Sequence, residues 1–246
     1  MDLSQVSGLS LAVEGNKLRF GTGVTAVEPA IRTLEDMRPY LADPKASGPA
    51  EVYFMYRGVT CAADASFWGR EHLRYDVTIL LPGRLGDERV KTIGHYHPSA
   101  PGTDLSYTEV YQVLAGRANY LLQKRGQHGL DEVVLVEAGP GETLVIPPDY
   151  GHVTINAGEE PLVMANLVEG SFASLYGDFR NLNGAAYYGL AAGEVCEFRP
   201  NPRYGQVPEL VRWTPARLSL PIYQLGREKP GVFRFLLDPR VEAHLD

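Results

Sequence analysis

Short runs of apolar and alternating residues recur along most of the chain, and Gly, Pro, Asn or Asp separates one run from the next. The runs are rich in β-branched and aromatic residues, which favour strands over helices. Because the turn residues return at short intervals, the pattern predicts a sandwich or barrel rather than alternating strands and helices. The predicted strands are LRFGTGV, EVYFMYRGV, RYDVTILLPG, EVYQVLAG, ANYLLQKRG, EVVLVEAGPG, TLVIPP, HVTINAG and LVMANLV.

Helical periodicity is scarce. The stretch TLEDMRPYLAD is one candidate, because Thr33 and Asp36 can cap a first turn, although Pro39 limits its length. The C-terminal stretch DPRVEAHLD is the other candidate. KRGQHGL predicts a hairpin tip, PSAPGTDLSY predicts a loop of a length that is often functional, and the tail from about residue 200 predicts irregular segments that wrap the core. We therefore expect an all-β fold with a few short peripheral helices.

Composition narrows the class of protein. The 246 residues can bury a full core, and no repeat or linker divides them, so we expect a single domain over residues 1–246. The formal charge of −7 argues against nucleic-acid and membrane partners. Two distant cysteines, Cys61 and Cys196, indicate a reducing compartment, and the N-terminus has no signal-peptide pattern, so we expect a cytoplasmic location.

Four side chains predict chemistry. If residues 92–97 are extended, His95 and His97 project from one face of the strand. Glu109 is the only charged residue in YTEVYQVLA, and a buried carboxylate is costly unless it is paired or bound to a cation. His152 follows a Pro-Pro turn and opens HVTIN. Three imidazoles and one carboxylate suit a divalent transition metal, with positions left open for water or substrate.

Each of these residues also has a plainer interpretation. A single histidine on a strand is usually a core or surface residue, and a single glutamate in a strand can be half exposed. The combination of four groups in this order favours the metal. His72, His128 and His244 have no such companions, so we interpret them as structural or surface residues.

The spacing of the four residues resembles the two motifs of the cupin superfamily. The first motif corresponds to His95, His97, Glu109 and Gly116, and the second to Gly141, Pro147, His152 and Asn156. The chain departs from the pattern twice. Eleven residues separate His97 from Glu109, which indicates a loop insertion, and Asp149 stands where many cupins carry glycine.

The resemblance is closer to one family, the cupin-type glucose-6-phosphate isomerases, over about residues 30–180. The matching stretches are RTLEDMRPYL, DVTILLPGRLGDERVKTIGHYH, TEVYQVLAGRANYLLQ, GETLVIPPDYGHVTINAGEEPLVMANL and LYGDF. The implied fold is the cupin double-stranded β-helix, a jelly-roll barrel with its core at about residues 50–170, N-terminal strands before it and a wrapping C-terminal extension after it. Cupins often pair by exchanging edge strands, so we expect a homodimer formed through the strands before residue 30.

The resemblance also implies an activity, the interconversion of glucose 6-phosphate and fructose 6-phosphate. Hydrogen would move between C2 and C1 either through a carboxylate base and a cis-enediol or by a metal-assisted hydride shift. A divalent transition metal is implied, with Fe²⁺ first and Mn²⁺, Ni²⁺, Zn²⁺ and Co²⁺ as alternatives. The implied metal ligands are His95, His97, Glu109 and His152.

Further roles follow from the same resemblance. Glu109 is expected to be a ligand, a base or both, with Tyr111 and Tyr176 as catalytic neighbours. The expected phosphate contacts are Thr78, Thr92 and the backbone N–H of Gly94. Without the resemblance, the two threonines would be ordinary strand residues, and Tyr111 would be a core aromatic.

Two positions differ from the family pattern. Val168 replaces a tyrosine, and Ser174 replaces a histidine linked to substrate handling. The proton needed for ring opening would then come from Asp149, Tyr107 or Tyr176; alternatively, the substrate is another sugar phosphate, or the activity is weak.

Three alternative functions stay open at the sequence level. They are an isomerase or epimerase of mannose 6-phosphate or an unphosphorylated sugar, a metal- and sugar-binding cupin without turnover, and a cupin dioxygenase. Glu109 beside the metal argues against the cupin without turnover, because binding alone needs no base. The stretch TILLPG upstream of KTIGHYH argues against the dioxygenase.

Overall fold

Strands dominate the computed structural model, which describes residues 1–193 and 195–245. In chain order the strands are β1 Leu11–Glu14, β2 Lys17–Phe20, β3 Ala30–Thr33, β4 Glu51–Tyr56, β5 Leu73–Leu80, β6 Arg84–Leu85, β7 Glu88–Arg89, β8 Glu109–Ala115, β9 Ala118–Gly126, β10 Gly129–Ala138, β11 Glu142–Ile146, β12 Tyr150–Asn156, β13 Leu162–Glu169, β14 Tyr187–Ala192, β15 Val195–Pro200, β16 Leu210–Trp213 and β17 Ala216–Arg217. The α-helices are α1 Ser4–Ser7, α2 Leu34–Met37, α3 Ala65–Arg70, α4 Gly177–Asn181 and α5 Ile222–Glu228. Across the described residues, no helix has the length and apolar character needed to cross a membrane.

Two sheets pack against each other across the main core. The larger sheet has seven strands in the order β17-β11-β8-β13-β5-β4-β3, and the smaller has four in the order β12-β9-β10-β16. Side chains from both sheets meet between them. The rings of Tyr111 and Tyr120 lie 5.4 Å apart, and Tyr120 Oη donates to Met164 Sδ at 3.7 Å. A second four-stranded sheet, β15-β14-β7-β6, and the β1-β2 hairpin lie outside this pair.

This all-β architecture agrees with the fold class that the sequence predicted, and the described strands form separate sheets that do not close on themselves. Residues 92–97 do not form the continuous strand that the sequence suggested. The segment instead contacts β12 through single bridges, Lys91 with Ile155 and His95 with His152. The segment before and including the two histidines therefore runs along the β12 edge of the smaller sheet.

Strand β8 is buried on both of its faces, because all seven of its residues are buried. Tyr111 and Val113 belong to the main core between the sheets. The alternate residues Val110 and Leu114 belong to a second apolar cluster on the outer side of the larger sheet. Burial on both faces explains why EVYQVLA shows almost no polar alternation.

The outer cluster is covered by the two ends of the chain. Its terminal members are Leu3, Leu9 and Leu11 from the N-terminal segment and Ile222, Tyr223, Phe233 and Phe235 from the C-terminal extension. The extension is more regular than predicted, because β16 pairs with β10 and β17 pairs with β11. Backbone N–H and C=O groups of the tail thus form hydrogen bonds with the edges of β10 and β11. Ile222 N also donates to Gln112 Oε1 of β8 at 3.2 Å.

The helix predicted at DPRVEAHLD is wrong for its described part, residues 238–245, which form turns and irregular chain. Asp238 Oδ1 accepts hydrogen bonds from the backbone N of Arg240 at 3.1 Å and from its Nε at 2.7 Å. Local bonds of this kind compete with helical hydrogen bonding. Asp246 lies outside the described residues.

Other local predictions are confirmed. Thr33 and Asp36 form a capping box at α2, with Asp36 N donating to Thr33 Oγ1 at 3.3 Å, and Pro39 lies in the 3₁₀ turn that follows. KRGQHGL contains the turn between β9 and β10. The motif residue Gly116 has φ of 82°, and a Cβ there would lie 2.8 Å from the carbonyl oxygen of Pro161, so this turn requires glycine.

The packing of the extension makes a prediction about stability. Phe235 is 1% exposed in the outer cluster, so Phe235→Ala should lower the free energy of unfolding by about 3–5 kcal/mol. Urea denaturation of the whole protein measures this loss. Val241→Ala is the matched control, because Val241 is 43% exposed and should change stability by less than about 0.5 kcal/mol. Equal stability of the two variants would contradict the packing.

Candidate metal centre

The four predicted metal ligands come together in the structure. Ligand atoms of His95, His97, Glu109 and His152 all lie within 4.8 Å of one another. His95 and His152 exchange two backbone hydrogen bonds of 3.1 and 3.0 Å, and their ring centroids lie 4.4 Å apart. The ring of His97 lies 5.3 Å from each of the other two rings. The cluster can therefore hold a metal ion.

Glu109 begins β8 and faces the imidazoles. Its Oε2 lies 3.3 Å from Nε2 of both His97 and His152. That oxygen is shielded from solvent, yet no donor within residues 1–193 and 195–245 reaches it with hydrogen-bond geometry. A buried carboxylate oxygen without a hydrogen bond is costly, and a cation between it and the imidazole nitrogens removes that cost. The residues therefore fit a divalent transition metal.

The orientation of His97 is set by a backbone carbonyl. Its Nδ1 lies 2.9 Å from the carbonyl oxygen of Tyr107, which can only accept, so Nδ1 carries the proton. In the neutral imidazole, the Nε2 lone pair is then on the side of Glu109. Metal-binding histidines commonly have a partner of this kind on the second nitrogen.

Burial governs the charges in the cluster. Burial, followed by the neighbouring imidazoles of His152 and His97, lowers the pKa of His95 well below its ordinary value. Burial also lowers the pKa of His152, against the opposing effect of Glu109. Burial alone would raise the pKa of Glu109, but His152 and His97 together lower it by more, so it lies below its ordinary value. Neutral imidazoles and an ionised carboxylate are the forms that bind metals.

A cavity of about 380 Å³ opens beside the cluster, within the size range of small-molecule sites. The predicted site residues that line it are Thr78, Thr92, His95, His97, Glu109, Tyr111 and Tyr176. Gly94 instead packs against Phe179, where a Cβ would lie 2.3 Å from the ring, so this packing requires glycine. The wall also contains polar residues that the sequence did not single out, namely Arg32, Tyr53, Arg57, Arg74, Asp76 and Asn166.

The two predicted tyrosines border the metal cluster. Tyr111 Oη lies 3.4 Å from His152 Nε2, and the ring of Tyr176 lies 5.6 Å from that of His95. Burial, reinforced by the charge of Glu109, raises the pKa of Tyr111 well above its ordinary value. Tyr111 is therefore a neutral phenol that can donate a hydrogen bond to a ligand in the cavity.

The two predicted threonines lie on different elements. Thr78 is on β5 and is 7% exposed, and its strand face is shared with Arg74 and Asp76. Thr92 Oγ1 accepts a hydrogen bond from Thr154 N at 3.0 Å. This contact serves the packing of the strands, and it leaves the hydroxyl of Thr92 able to donate to a ligand.

Comparison with known proteins gives the family. A sequence model of the family described as Glucose-6-phosphate isomerase (GPI) matches residues 31–205. The chain belongs to the glucose-6-phosphate isomerase family. The glucose-6-phosphate isomerase of Thermococcus litoralis is 31% identical over 170 residues, which cover 66% of this chain and 82% of that protein. That of Thermococcus gammatolerans is 30% identical over 197 residues, which cover 77% of this chain and 95% of that protein.

Solved structures of other proteins resemble the chain more distantly. Oxalate decarboxylase from Bacillus subtilis at pH 4.6 is 18% identical, covers 51% of this chain and 28% of its own chain, and has a TM-score of 0.37. The match to the glucose-6-phosphate isomerase family ends at residue 205, so β16, β17 and α5 lie beyond the matched region.

The cationic side chains of the cavity were missed at the level of sequence. Arg32, Arg57 and Arg74 all line the wall. A signal was present, because Arg74, Asp76 and Thr78 occupy alternate positions of one strand and therefore share a face. The missing information was which face points inward. That direction follows from the other face of β5, where Tyr75, Val77 and Ile79 belong to the outer apolar cluster.

The two departures from the cupin pattern contact each other. Asp149 has φ of 69°, in the left-handed region that glycine commonly fills and that aspartate tolerates. Its Oδ1 accepts from Ser106 N at 3.1 Å, and its N donates to Ser106 Oγ at 2.7 Å. The insertion at residues 98–108 is thus anchored by the residue that replaces glycine.

The three alternative proton sources occupy different positions. Tyr176 lines the cavity, whereas Asp149 is tied to the inserted loop. Tyr107 stacks on Phe172 with a centroid separation of 4.9 Å, and Phe172 lies 4.6 Å from the ring of His97. Tyr107 of the insertion therefore packs on the aromatic ring that contacts His97, one of the predicted metal ligands.

The cluster makes a prediction about metal affinity. Removal of one ligand by His152→Ala should weaken binding of Mn²⁺ or Zn²⁺ to metal-free protein by more than about tenfold, since even outer partners of a metal site contribute on that scale. Isothermal titration calorimetry measures the change. His128→Ala is the control, because His128 is exposed in the β9–β10 turn and should bind as the parent does. Unchanged affinity in His152→Ala would rule out the site.

Proposed function

We propose that the protein interconverts glucose 6-phosphate and fructose 6-phosphate with a divalent metal held by His95, His97, Glu109 and His152. One observation carries this proposal: Glu109 belongs both to the ligand cluster and to the wall of the cavity. A carboxylate in that position can contact a metal and a bound sugar at the same time. Membership of the glucose-6-phosphate isomerase family supports the choice of substrate.

The proposed ion is Fe²⁺, and the ligand set of three imidazoles and one carboxylate also suits Mn²⁺, Ni²⁺, Zn²⁺ or Co²⁺. When bound, such an ion polarises the oxygens on C1 and C2 of the open-chain sugar and stabilises the negative charge that develops on them. The surrounding burial supports this role, because charge interactions strengthen when water is excluded.

Glu109 is proposed to carry the proton between C2 and C1. Its carboxylate takes the proton from C2 of the open-chain aldose. The electrons of the broken C–H bond form the C1–C2 double bond, and those of the C1 carbonyl double bond move to O1, which gives a cis-enediolate. Transfer of the O2 hydroxyl proton to O1 and return of the proton from Glu109 to C1 then give the ketose. The lowered pKa of Glu109 keeps the group ionised before the substrate binds, so it is ready to accept the proton.

Tyr111 and Tyr176 are proposed to orient the sugar. Both line the cavity close to the metal cluster, Tyr111 beside His152 and Tyr176 beside His95. The raised pKa of Tyr111 makes it a donor at neutral pH rather than an anion beside Glu109. Tyr176 is also proposed to supply the hydroxyl for ring opening. Both Tyr176 and Ser174 line the cavity, and the side chain of Tyr176 is the longer of the two.

The phosphate is proposed to bind at the other end of the cavity, through Thr78, Thr92 and the N–H of Gly94. Arg32 adds a positive charge at that end. It pairs with Tyr53 on the neighbouring strand, and Tyr53 Oη accepts a hydrogen bond of 3.2 Å from Ile93 N, next to Thr92. The Nε of Arg32 is buried and has no hydrogen-bond acceptor in the described part of the chain, so it is available to an anion.

A homodimer is also proposed. Strands β1 and β2, which the sequence nominated for pairing, pair with each other, and Leu11 and Leu18 are buried within the same chain. One edge of the larger sheet is β3, and Ile31 on that strand is 39% exposed. An exposed edge strand of this kind favours pairing with a second copy. Light scattering after size-exclusion chromatography measures the mass.

The activity is tested with Glu109→Gln, which keeps the shape of the side chain and removes its basicity. Turnover of fructose 6-phosphate in a coupled assay should fall by at least about a hundredfold, the usual scale of a lost general base. The protein is first chelated, and Fe²⁺, Mn²⁺, Ni²⁺, Zn²⁺ or Co²⁺ is then restored one at a time. Mannose 6-phosphate is assayed in parallel.

The control for this experiment is Glu51→Gln, because Glu51 is an exposed residue at the start of β4 and should keep full turnover. Thermal unfolding of both variants checks that the fold survives. Full activity of Glu109→Gln would refute the proposed role of Glu109. Turnover of mannose 6-phosphate alone would refute the proposed substrate.

A further inference from the structure

One arginine at the metal end of the cavity has no part in the function proposed above. Arg74 of β5 pairs with Val168 of β13, and Val168 pairs with Glu109 of β8. The three residues thus form one row across neighbouring strands. Because neighbouring strands lie about 4.8 Å apart, the backbone of Arg74 is roughly 10 Å from that of Glu109. A long side chain on Arg74 can bridge much of that distance.

The guanidinium of Arg74 is held in one orientation by Asp76. Nε donates to both carboxylate oxygens at 2.9 and 3.0 Å, and Nη2 donates to Oδ2 at 2.9 Å. Asp76 is 6% exposed and also accepts from Gly58 N at 2.9 Å. Nη1 donates to the carbonyl oxygen of Gly170 at 3.1 Å. A two-pronged pair of this kind fixes direction as well as position.

Two N–H groups of Arg74 are left over. A guanidinium has five N–H donors, and the contacts with Asp76 and Gly170 use one each on Nε, Nη2 and Nη1. The second N–H on Nη1 and the second on Nη2 have no acceptor within the described residues. Arg74 lines the cavity with 31% of its side chain exposed, so these donors are accessible to a ligand.

The position of Arg74 along β5 points to the reacting end of the sugar rather than to the phosphate. Thr78 lies four residues further along the strand, about 13 Å away. Arg32 is further still, because it pairs with Tyr53, which pairs with Leu80, six residues or about 20 Å from Arg74. Arg74 and Arg32 therefore lie toward opposite ends of the cavity. The third arginine of the wall, Arg57, follows Tyr56, which pairs with Val77, so it lies between them along the strands.

We propose that Arg74, held in place by Asp76, donates two hydrogen bonds to oxygens at the C1–C3 end of the bound sugar phosphate and stabilises the negative charge that develops there. The identity of the substrate rests on the function proposed above. Asp76 is a positioning residue, because it acts through the guanidinium. In the same wall, the side chain of Val168 has no donor and that of Ser174 has one hydroxyl, so neither offers a comparable pair of donors.

The chemistry of arginine limits the role. A guanidinium keeps its proton throughout the accessible pH range, so Arg74 does not transfer a proton and does not replace a proton shuttle. Its contribution is charge and geometry. It should consequently favour a ligand with a negative charge at the C1–C2 position over a neutral ligand of similar size.

Two ligands test this preference by calorimetry with Mn²⁺-loaded protein. Arabinonate 5-phosphate carries a carboxylate near the place of the C1 and C2 oxygens, and glucitol 6-phosphate carries neutral hydroxyls there. Arg74→Met should weaken binding of the first by about tenfold to a hundredfold and binding of the second by less than tenfold. Arg74→Lys, which keeps the charge without the fork, should lie between Arg74→Met and the parent for the carboxylate ligand.

Arg199→Met is the matched control, because Arg199 is an exposed residue of β15 with 64% of its side chain exposed. It should bind both ligands as the parent does. The proposal would be overturned if Arg74→Met lowered the affinity for both ligands by the same factor, or lowered neither affinity.

The buried carboxylate of Asp76 would lose its main partner in Arg74→Met, so the double variant Arg74→Met/Asp76→Asn is made beside it. The amide that replaces the carboxylate carries no charge and can still accept from Gly58 N. The double variant should likewise lose more affinity for arabinonate 5-phosphate than for glucitol 6-phosphate. Failure of the two proposals can be told apart, because binding is measured without turnover. A parent protein that binds arabinonate 5-phosphate but isomerises no sugar phosphate would refute only the proposed activity.

Discussion

The structure depends on how one buried negative charge is compensated. Glu109 is 3% exposed, lies at the start of a strand buried on both faces, and has an oxygen with no hydrogen bond within residues 1–193 and 195–245. Removal of an ionised carboxylate from water is one of the largest costs that a fold can carry. The imidazoles of His97 and His152, each 3.3 Å from that oxygen, are the nearest groups of the ligand cluster to this charge, and the cluster can hold a cation that offsets it.

The position of Glu109 is held from outside the cavity as well as from inside it. The preceding residue, Thr108, is buried and donates its hydroxyl to the carbonyl oxygen of Phe235 at 2.8 Å. Phe235 belongs to the C-terminal extension, which lies beyond the region matched by the glucose-6-phosphate isomerase family. The extension therefore covers the outer face of β8 and steadies the end of the strand that carries the carboxylate. The N-terminal residues Leu3 and Leu9 cover the same outer cluster.

The insertion before Glu109 is integrated in a similar way. A free eleven-residue loop next to the site would cost little entropy to close, but it would not hold the histidine ligand still. Contacts with Asp149 and Phe172 order this loop, and the carbonyl of Tyr107 orients His97. The loop thus helps to hold the four side chains of the ligand cluster in position.

Much of this protein was determined by local pattern in the sequence. The alternation of apolar runs and turn residues predicted most of the strands, and the capping box at Thr33 formed where its two residues required it. The spacing of His95, His97, Glu109 and His152 predicted the ligand cluster, because side chains two apart on extended chain share a face and an isolated carboxylate in an apolar strand needs a cation.

Other features were decided only by tertiary structure, since they depend on which strands become neighbours. The sequence contains Arg74, Asp76 and Thr78 at alternate positions. Only the packing of the opposite face of β5 into the outer apolar cluster turns these three residues into the cavity. The sequence likewise showed the long loop and Asp149 as two separate departures, and the fold joins them through Ser106. The tail was expected to be irregular, yet two of its segments form strands that pair with the edges of β10 and β11. Backbone groups far apart in the chain have no local signal for such pairing, so it appears only when the sheets are assembled.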